Sequence, residues 1–322
     1  MILRRTIEYK ITPLSLIWKG NDLKDWVGNG RVFNLNGEIE GVSHGRQYKF
    51  DAAIQSDNEV YTVVYEKFGT KGVLLKNGEV LREINRSYYL ADVYEYPIAF
   101  IKIEEEYAIV HCPDEYNIIE VDNVETGVRI TNTSNRKEPA DYFHSRFRVN
   151  DANTKLLNTG WVWHPMDIIE LFDLKMSLND NDLFDNPTSI AEVNMVDVCS
   201  AEFLSNDLIV ISLFKNSKKP KHEVGLFSIE MDKFIKKVDV GFQLGTLVPI
   251  DENYVIDLYE HPKLIDLNTG EVKQRFEDIN SGNQTSSIKS DNLVPLAFDK
   301  GNQRLAIGNG NKIELLEFEK TV

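Results

Sequence analysis

The chain has 322 residues, 42% of them hydrophobic, and its 36 Lys and Arg stand against 51 Asp and Glu for a formal net charge of −15. That apolar content excludes an intrinsically disordered chain. The acidic balance disfavours nucleic acids and anionic membranes, which require clustered cations, so neither is expected as a partner. The two cysteines, Cys112 and Cys199, form no CxxC pair and no disulfide framework, which points to a reduced, cytoplasmic protein. The opening stretch MILRRTIEYKITPLSLIW lacks the apolar run of a secretory signal, and no segment reaches the roughly 18 apolar residues of a membrane helix. A soluble monomer is expected.

In chain order the sequence reads as short runs of Val, Ile, Tyr, Phe and Leu separated by Gly, Asn, Asp and Pro, which is strand chemistry with turn punctuation. One turn recurs: LNGEI places Gly37, KNGEV Gly78, ETGVR Gly127 and NTGEV Gly270. Gly after Asn or Thr suits hairpin positions of positive φ. Successive copies lie roughly 40–50 residues apart, or three such steps, which is the period of a four-stranded propeller blade.

Seven blades follow along the chain, over residues 14–43, 47–86, 97–134, 144–186, 197–241, 244–279 and 293–319. Blade two, for example, is YKFDAAI, EVYTVVYE, GVLLKNG and VLREIN. Blade three ends in VRITNT, and blade four runs into an acidic insert, NDNDLFDN, of irregular pattern. The last blade is one strand short, and residues 2–10, ILRRTIEYK, supply it. Such closure removes an edge that invites aggregation. The expected fold is therefore all-β: a single seven-bladed β-propeller domain over residues 1–322, with six or eight blades as the alternatives left by the irregular region 175–195.

Seven four-stranded units closed in this way resemble the WD40-like and YVTN-like seven-bladed β-propellers, over essentially the whole chain. The resemblance is architectural. The Trp-Asp and Gly-His marks of WD40 repeats are absent, with LFD at 171–173 and LID at 264–266 as loose echoes.

Strand alternation puts each blade's second-to-third loop on the same face as the connections between blades. On that face blades two to four gather an unusual set. The connection INRSYYLADVYEYP carries Arg86, Tyr88, Tyr89, Asp92, Tyr94, Glu95 and Tyr96; NRKEPADYFHSR carries His144 and Arg146; HCPDEYN carries Tyr116; and WVWHPMD, with its preceding strand, carries Trp161, Trp163 and His164. Aromatics and arginines give large contact area with a polar handle, as interface anchors do. The same rings also suit the plugging of gaps between blades.

Other chemistries are weaker. His111, Cys112, Asp114 and Glu115 with His144 and His164 lack metal-ligand spacing within one element. No G-x-S-x-G elbow or cysteine-nucleophile signature occurs. Asp92, Glu95, Asp114 and Glu115 are candidates for paired acid and base work. The Gly-rich GNGNK and GNG stretches open no helix. The leading reading is a non-enzymatic propeller that binds a protein or peptide on the aromatic rim of blades two to four, without cofactor or metal. The alternative is an enzyme or small-ligand binder, carbohydrate among the ligands, using the same cluster near the axial channel.

Overall fold

The computed structural model describes residues 2–41, 49–132, 136–163, 166–185, 187–190, 193 and 196–319. Seven antiparallel sheets are arranged as blades. Strand β1 (Ile2–Glu8) belongs to the last of them. Blade one is β2 (Ile17–Lys19), β3 (Asp22–Asp25), β4 (Arg31–Phe33) and β5 (Ile39–Glu40). Blade two is β6 (Ala52–Gln55), β7 (Tyr61–Tyr65), β8 (Lys71–Lys76) and β9 (Glu79–Asn85). Blade three is β10 (Ile98–Ile103), β11 (Glu106–His111) and β12 (Glu120–Asn123). Blade four is β13 (Arg148–Val149), β14 (Lys155–Val162), β15 (Met166–Asp173) and β16 (Thr188–Ser189). Blade five is β17 (Asp197–Phe203), β18 (Leu208–Lys215), β19 (Lys221–Ser228) and β20 (Lys233–Asp239). Blade six is β21 (Leu247–Pro249), β22 (Tyr254–Asp257), β23 (Lys263–Asp266) and β24 (Val272–Arg275). Blade seven is β25 (Leu296–Asp299), β26 (Arg304–Asn309) and β27 (Lys312–Phe318), completed by β1.

The closing strand pairs with the last over its whole length, from Ile2 opposite Phe318 to Glu8 opposite Lys312. The expected closure of the ring by the N-terminal strand is thus what the chain adopts. The recurrent turns also fold as read. Gly78 sits at φ +88 and Gly270 at φ +76, where a Cβ on Gly270 would come 2.4 Å from the Asp239 carbonyl oxygen.

Middle strands are buried on both faces, as β7 and β8 are, because each blade is sandwiched between two neighbours. The outermost strand β20 alternates exposed and half-buried residues. One apolar cluster fills each of the seven seams: Leu74 and Ile109 meet between blades two and three, Phe147 and Val110 between three and four, Ile7 and Phe33 between seven and one.

Two elements differ from the sequence reading. Among the described residues blade three has no continuous fourth strand. Its VRITNT stretch contributes an isolated bridge, Arg129 with Asp122, and hydrogen bonds from Asn123 N to Val128 O and Ile130 N to Val121 O. In blade four a short helix leads into the acidic insert: Asp173 caps helix α1 (Leu174–Asn179) by accepting from Met176 N, and the insert itself forms a 3-10 turn at Asn181–Phe184. The fourth strand comes only after the insert. Phe184 enters the seam with blade three, and Arg136 pins the insert through both oxygens of Asp185, at 2.6 and 2.7 Å. The expected blade boundaries at 43, 47, 134 and 186 lie outside the described residues.

Candidate functional site

The site begins with a backbone exchange between the connection into blade four and that blade's second strand. Phe143 N donates to Trp161 O at 2.8 Å and Trp161 N donates to Phe143 O at 3.1 Å. The intervening Gly160 makes this approach feasible, since a Cβ there would lie 2.0 Å from Phe143 O. The two rings then stack at 4.2 Å with a 5° interplanar angle. Around them Tyr116 stacks on Phe143 at 4.5 Å, Tyr89 lies 5.0 Å from Tyr116, and Trp163 meets Trp161 edge-on at 5.4 Å. Tyr94 closes the base, edge-on to Phe143 at 5.2 Å.

This aromatic block grades from buried to exposed. Phe143 and Tyr94 are 0% exposed, whereas Tyr89 and Trp163 are 48% and 44% exposed; Tyr88, outside the stack, is 75% exposed. Tyr116 is half-buried and its hydroxyl donates to Asp141 at 2.5 Å. Asp92 is exposed in the same connection.

Several of the residues expected at a contact surface are interior. Arg86 is buried: its Nε donates to Gly69 O, its Nη2 to Ala91 O and Tyr94 O, and its guanidinium lies 4.4 Å from the Tyr94 ring centroid. It organises the connection from beneath. Tyr94, Tyr96 and Trp161 are buried, and His144 is buried against Tyr142 at 4.7 Å. Burial holds the His144 imidazole down to about 3, so it stays neutral. Glu170, whose Oε2 is 3.9 Å from His144 Nδ1, is pushed up to about 8 by burial, only partly offset by the Asn158 amide. His164 lies outside the described residues.

Glu95 and Arg146 lie elsewhere again, at the mouth of the axial channel. Glu95 Oε1 accepts from Arg146 Nε at 2.7 Å, and its Oε2 is 3.3 Å from Lys67 Nζ. Burial pushes this carboxyl up, but Arg146 and Lys67 outweigh it and hold Glu95 below its ordinary value. The sequence reading paired Glu95 with none of its partners, and the third comes from far along the chain. Gln284 Nε2 donates to Glu95 from the long connection between blades six and seven. That connection crosses the mouth as a strap: Glu95 N donates to Ser287 O at 2.9 Å, Lys289 N donates to Val93 O at 2.7 Å, and Ile288 packs on the aromatic block. Its signal in the sequence was length, since NSGNQTSSIKSDN falls in a strandless run between VKQR and LAFD, and such loops are seldom idle.

Below the strap the channel encloses about 590 Å³, lined by the first strands and by side chains such as Tyr65, Arg148 and Glu202. Toward the opposite face Lys300 of blade seven reaches Asp151 of blade four at 2.5 Å. His111 pairs with Asp122 at 2.9 Å, and Cys112 is buried, its thiol pushed up by burial. Among the described residues no cluster of three or more His, Cys, Asp or Glu is gathered as metal ligands would be.

No protein-family model matches the sequence, and no curated protein matches it. Solved structures do. A chain of the crystal structure of the mitotic checkpoint complex matches with a TM-score of 0.63 at 10% identity, covering 98% of this chain and 94% of that one. The fold is a seven-bladed, WD40-like β-propeller. The Pan2 WD40 domain of Neurospora crassa matches with a TM-score of 0.57 at 10% identity, over 97% of this chain and 90% of that one. The C-terminal WD40 domain of Sif2 matches with a TM-score of 0.54 at 12% identity, over 98% and 82%. At these identities the likeness concerns the WD40-like fold alone. Among the described residues no helix is long and apolar enough to cross a membrane.

Proposed function

We propose that this propeller is a docking platform for a protein or peptide, with its contact surface on the aromatic rim of blades two to four. The observation that carries the reading is the exposure of Tyr89 and Trp163 in a rigid aromatic block, with exposed Tyr88 beside Tyr89 in the same connection. Rings held by stacking lose little side-chain entropy on binding, so their contact area converts efficiently into affinity. Tyr116 and Asp92 extend the surface, while Arg86, Tyr94, Tyr96, His144 and Trp161 support it from within. Partners of the solved neighbours, such as a checkpoint assembly, agree with a scaffold role by analogy only. The reading is of a non-enzymatic, cytoplasmic monomer, in keeping with free buried thiols at Cys112 and Cys199.

The test is affinity capture from the native host's lysate with wild type beside a Tyr89→Ala/Trp163→Ala variant of verified fold. A partner held by wild type and lost by the variant supports the rim. A partner held equally by both moves the surface elsewhere.

A second reading rests on the channel cavity of about 590 Å³, a size suited to a small ligand. Thermal-shift screening of metabolites against wild type and Arg148→Ala separates it from docking.

A further inference from the structure

The exposed rings of the rim stand among carboxylates. Asp92 shares the connection of Tyr88 and Tyr89, Glu115 adjoins Tyr116, and Asp141 accepts from the Tyr116 hydroxyl; all three carboxylates are exposed. Most cations of the neighbouring loops are engaged by anions, while Lys289 of the strap is exposed and its ammonium lies 5.9 Å from the Phe68 ring centroid. Arg136 is held by Asp185, Arg129 spans Asp114 and Asp122, and Lys137 faces Asp182. Among the described residues no Lys or Arg forms an ion pair with Asp92 or Glu115, and the whole chain carries a net charge of −15. The π faces of Tyr and Trp attract cations, and carboxylates beside them raise the local cation concentration.

From this complementarity we infer that the rim takes a basic segment of a partner protein, whose Lys or Arg side chains lie over Tyr88, Tyr89 and Trp163 and face Asp92, Glu115 and Asp141. The inference rests on the rim being the docking surface. Blade five gives the segment a direction. Its loop on this same face, between β18 and β19, carries exposed Lys218 and Lys219, and β19 opens on exposed Lys221. Like charges repel, so the basic segment runs from Trp163 toward blade three and away from blade five.

The experiment pans a random peptide library on the wild-type chain, after depletion on the Tyr89→Ala/Trp163→Ala variant. The leading peptide is then measured by fluorescence anisotropy. The expected result is enrichment of peptides of net positive charge, with affinity falling about tenfold on Tyr89→Ala, about 1.4 kcal/mol. Affinity also falls severalfold on Asp92→Asn/Asp141→Asn and stays unchanged on Glu104→Gln/Glu105→Gln, exposed carboxylates of blade three's opposite face. Enrichment of acidic or neutral peptides that still need Tyr89 and Trp163 overturns the basic partner and leaves the rim standing. Equal weakening by the opposite-face variant also overturns it, as bulk attraction to an acidic protein. No enrichment dependent on the two rings overturns the inference together with the rim.

Discussion

Phe143 and Trp161 are locked to each other twice, by a reciprocal pair of backbone hydrogen bonds and by rings stacked 4.2 Å apart. The pair joins the connection into blade four to that blade's second strand, and every exposed ring of the rim except Tyr88 is packed around it. Rim geometry therefore depends on residues no partner would touch. Phe143→Ala should cost about 3–5 kcal/mol, the usual range for emptying a buried aromatic site. Tyr89→Ala and Trp163→Ala should each cost about 1 kcal/mol or less, because both rings are already half in solvent. Urea denaturation of the three variants checks the contrast.

Gly160 should tolerate no side chain. A Cβ would fall 2.0 Å from Phe143 O and force the paired segments apart. Gly160→Ala is expected to destabilise the chain and to lower the near-ultraviolet circular dichroism of the stacked aromatics. A variant with wild-type stability and spectrum would show that the reciprocal bonds do not hold the block.

Much of this was legible in the sequence, and the reason is local. Gly37, Gly78, Gly127 and Gly270 sit in short turns whose backbone demands recur with each blade, so the period survives without any Trp-Asp mark. The closing strand was legible by arithmetic, as one blade lacked a strand that the N-terminus could supply. The division of the tyrosines was not. Tyr88 and Tyr94 share one connection, yet one is exposed and the other buried, because the strap's backbone at Ile288 bridges Tyr94. That contact spans most of the chain, and no local pattern encodes it. The same holds for Glu95, read as a rim carboxylate but bound to Gln284 and Arg146 at the channel mouth.

That carboxylate joins two backbone hydrogen bonds in holding the strap to the ring. Glu95→Ala leaves Arg146 buried without its anion, a loss of about 3 kcal/mol or more, and frees the Gln284 amide. Hydrogen exchange at the Lys289 amide, which donates to Val93 O, should speed up in the variant more than exchange in the middle strand of blade six. Uniform acceleration across the chain would mean that Glu95 supports the whole ring rather than the strap.

Stability should fall as the solution turns alkaline. Glu170 is held up to about 8 and Asp167 up to about 7, each chiefly by burial. Between the ordinary carboxylate range and these values the folded chain keeps protons that the unfolded chain has released, so raising pH favours unfolding. The stabilisation is complete below the unfolded values and is lost through the folded ones, with a slope of up to about 1.4 kcal/mol per pH unit for each group. Denaturation at about pH 6 and about pH 8 should show wild type weaker at the higher pH. Glu170→Gln, which keeps an acceptor for the Asn158 amide, should show a smaller difference.

The ring should need its first strand. Removing residues 1–8 strips β1 from β27, takes Ile2 and Ile7 out of the two seams flanking blade seven, and bares an edge. The shortened chain is expected to melt lower and to aggregate as concentration rises, measured by light scattering during heating.

The most direct measurement places a photo-crosslinking amino acid at position 88 on the rim, or at position 104 on blade three's opposite face, in the native host. The expected result is a discrete adduct from position 88 that disappears when Tyr89→Ala/Trp163→Ala is added, with none from position 104. An adduct from position 104 alone, or one from position 88 that survives the loss of both rings, would contradict docking on the aromatic rim.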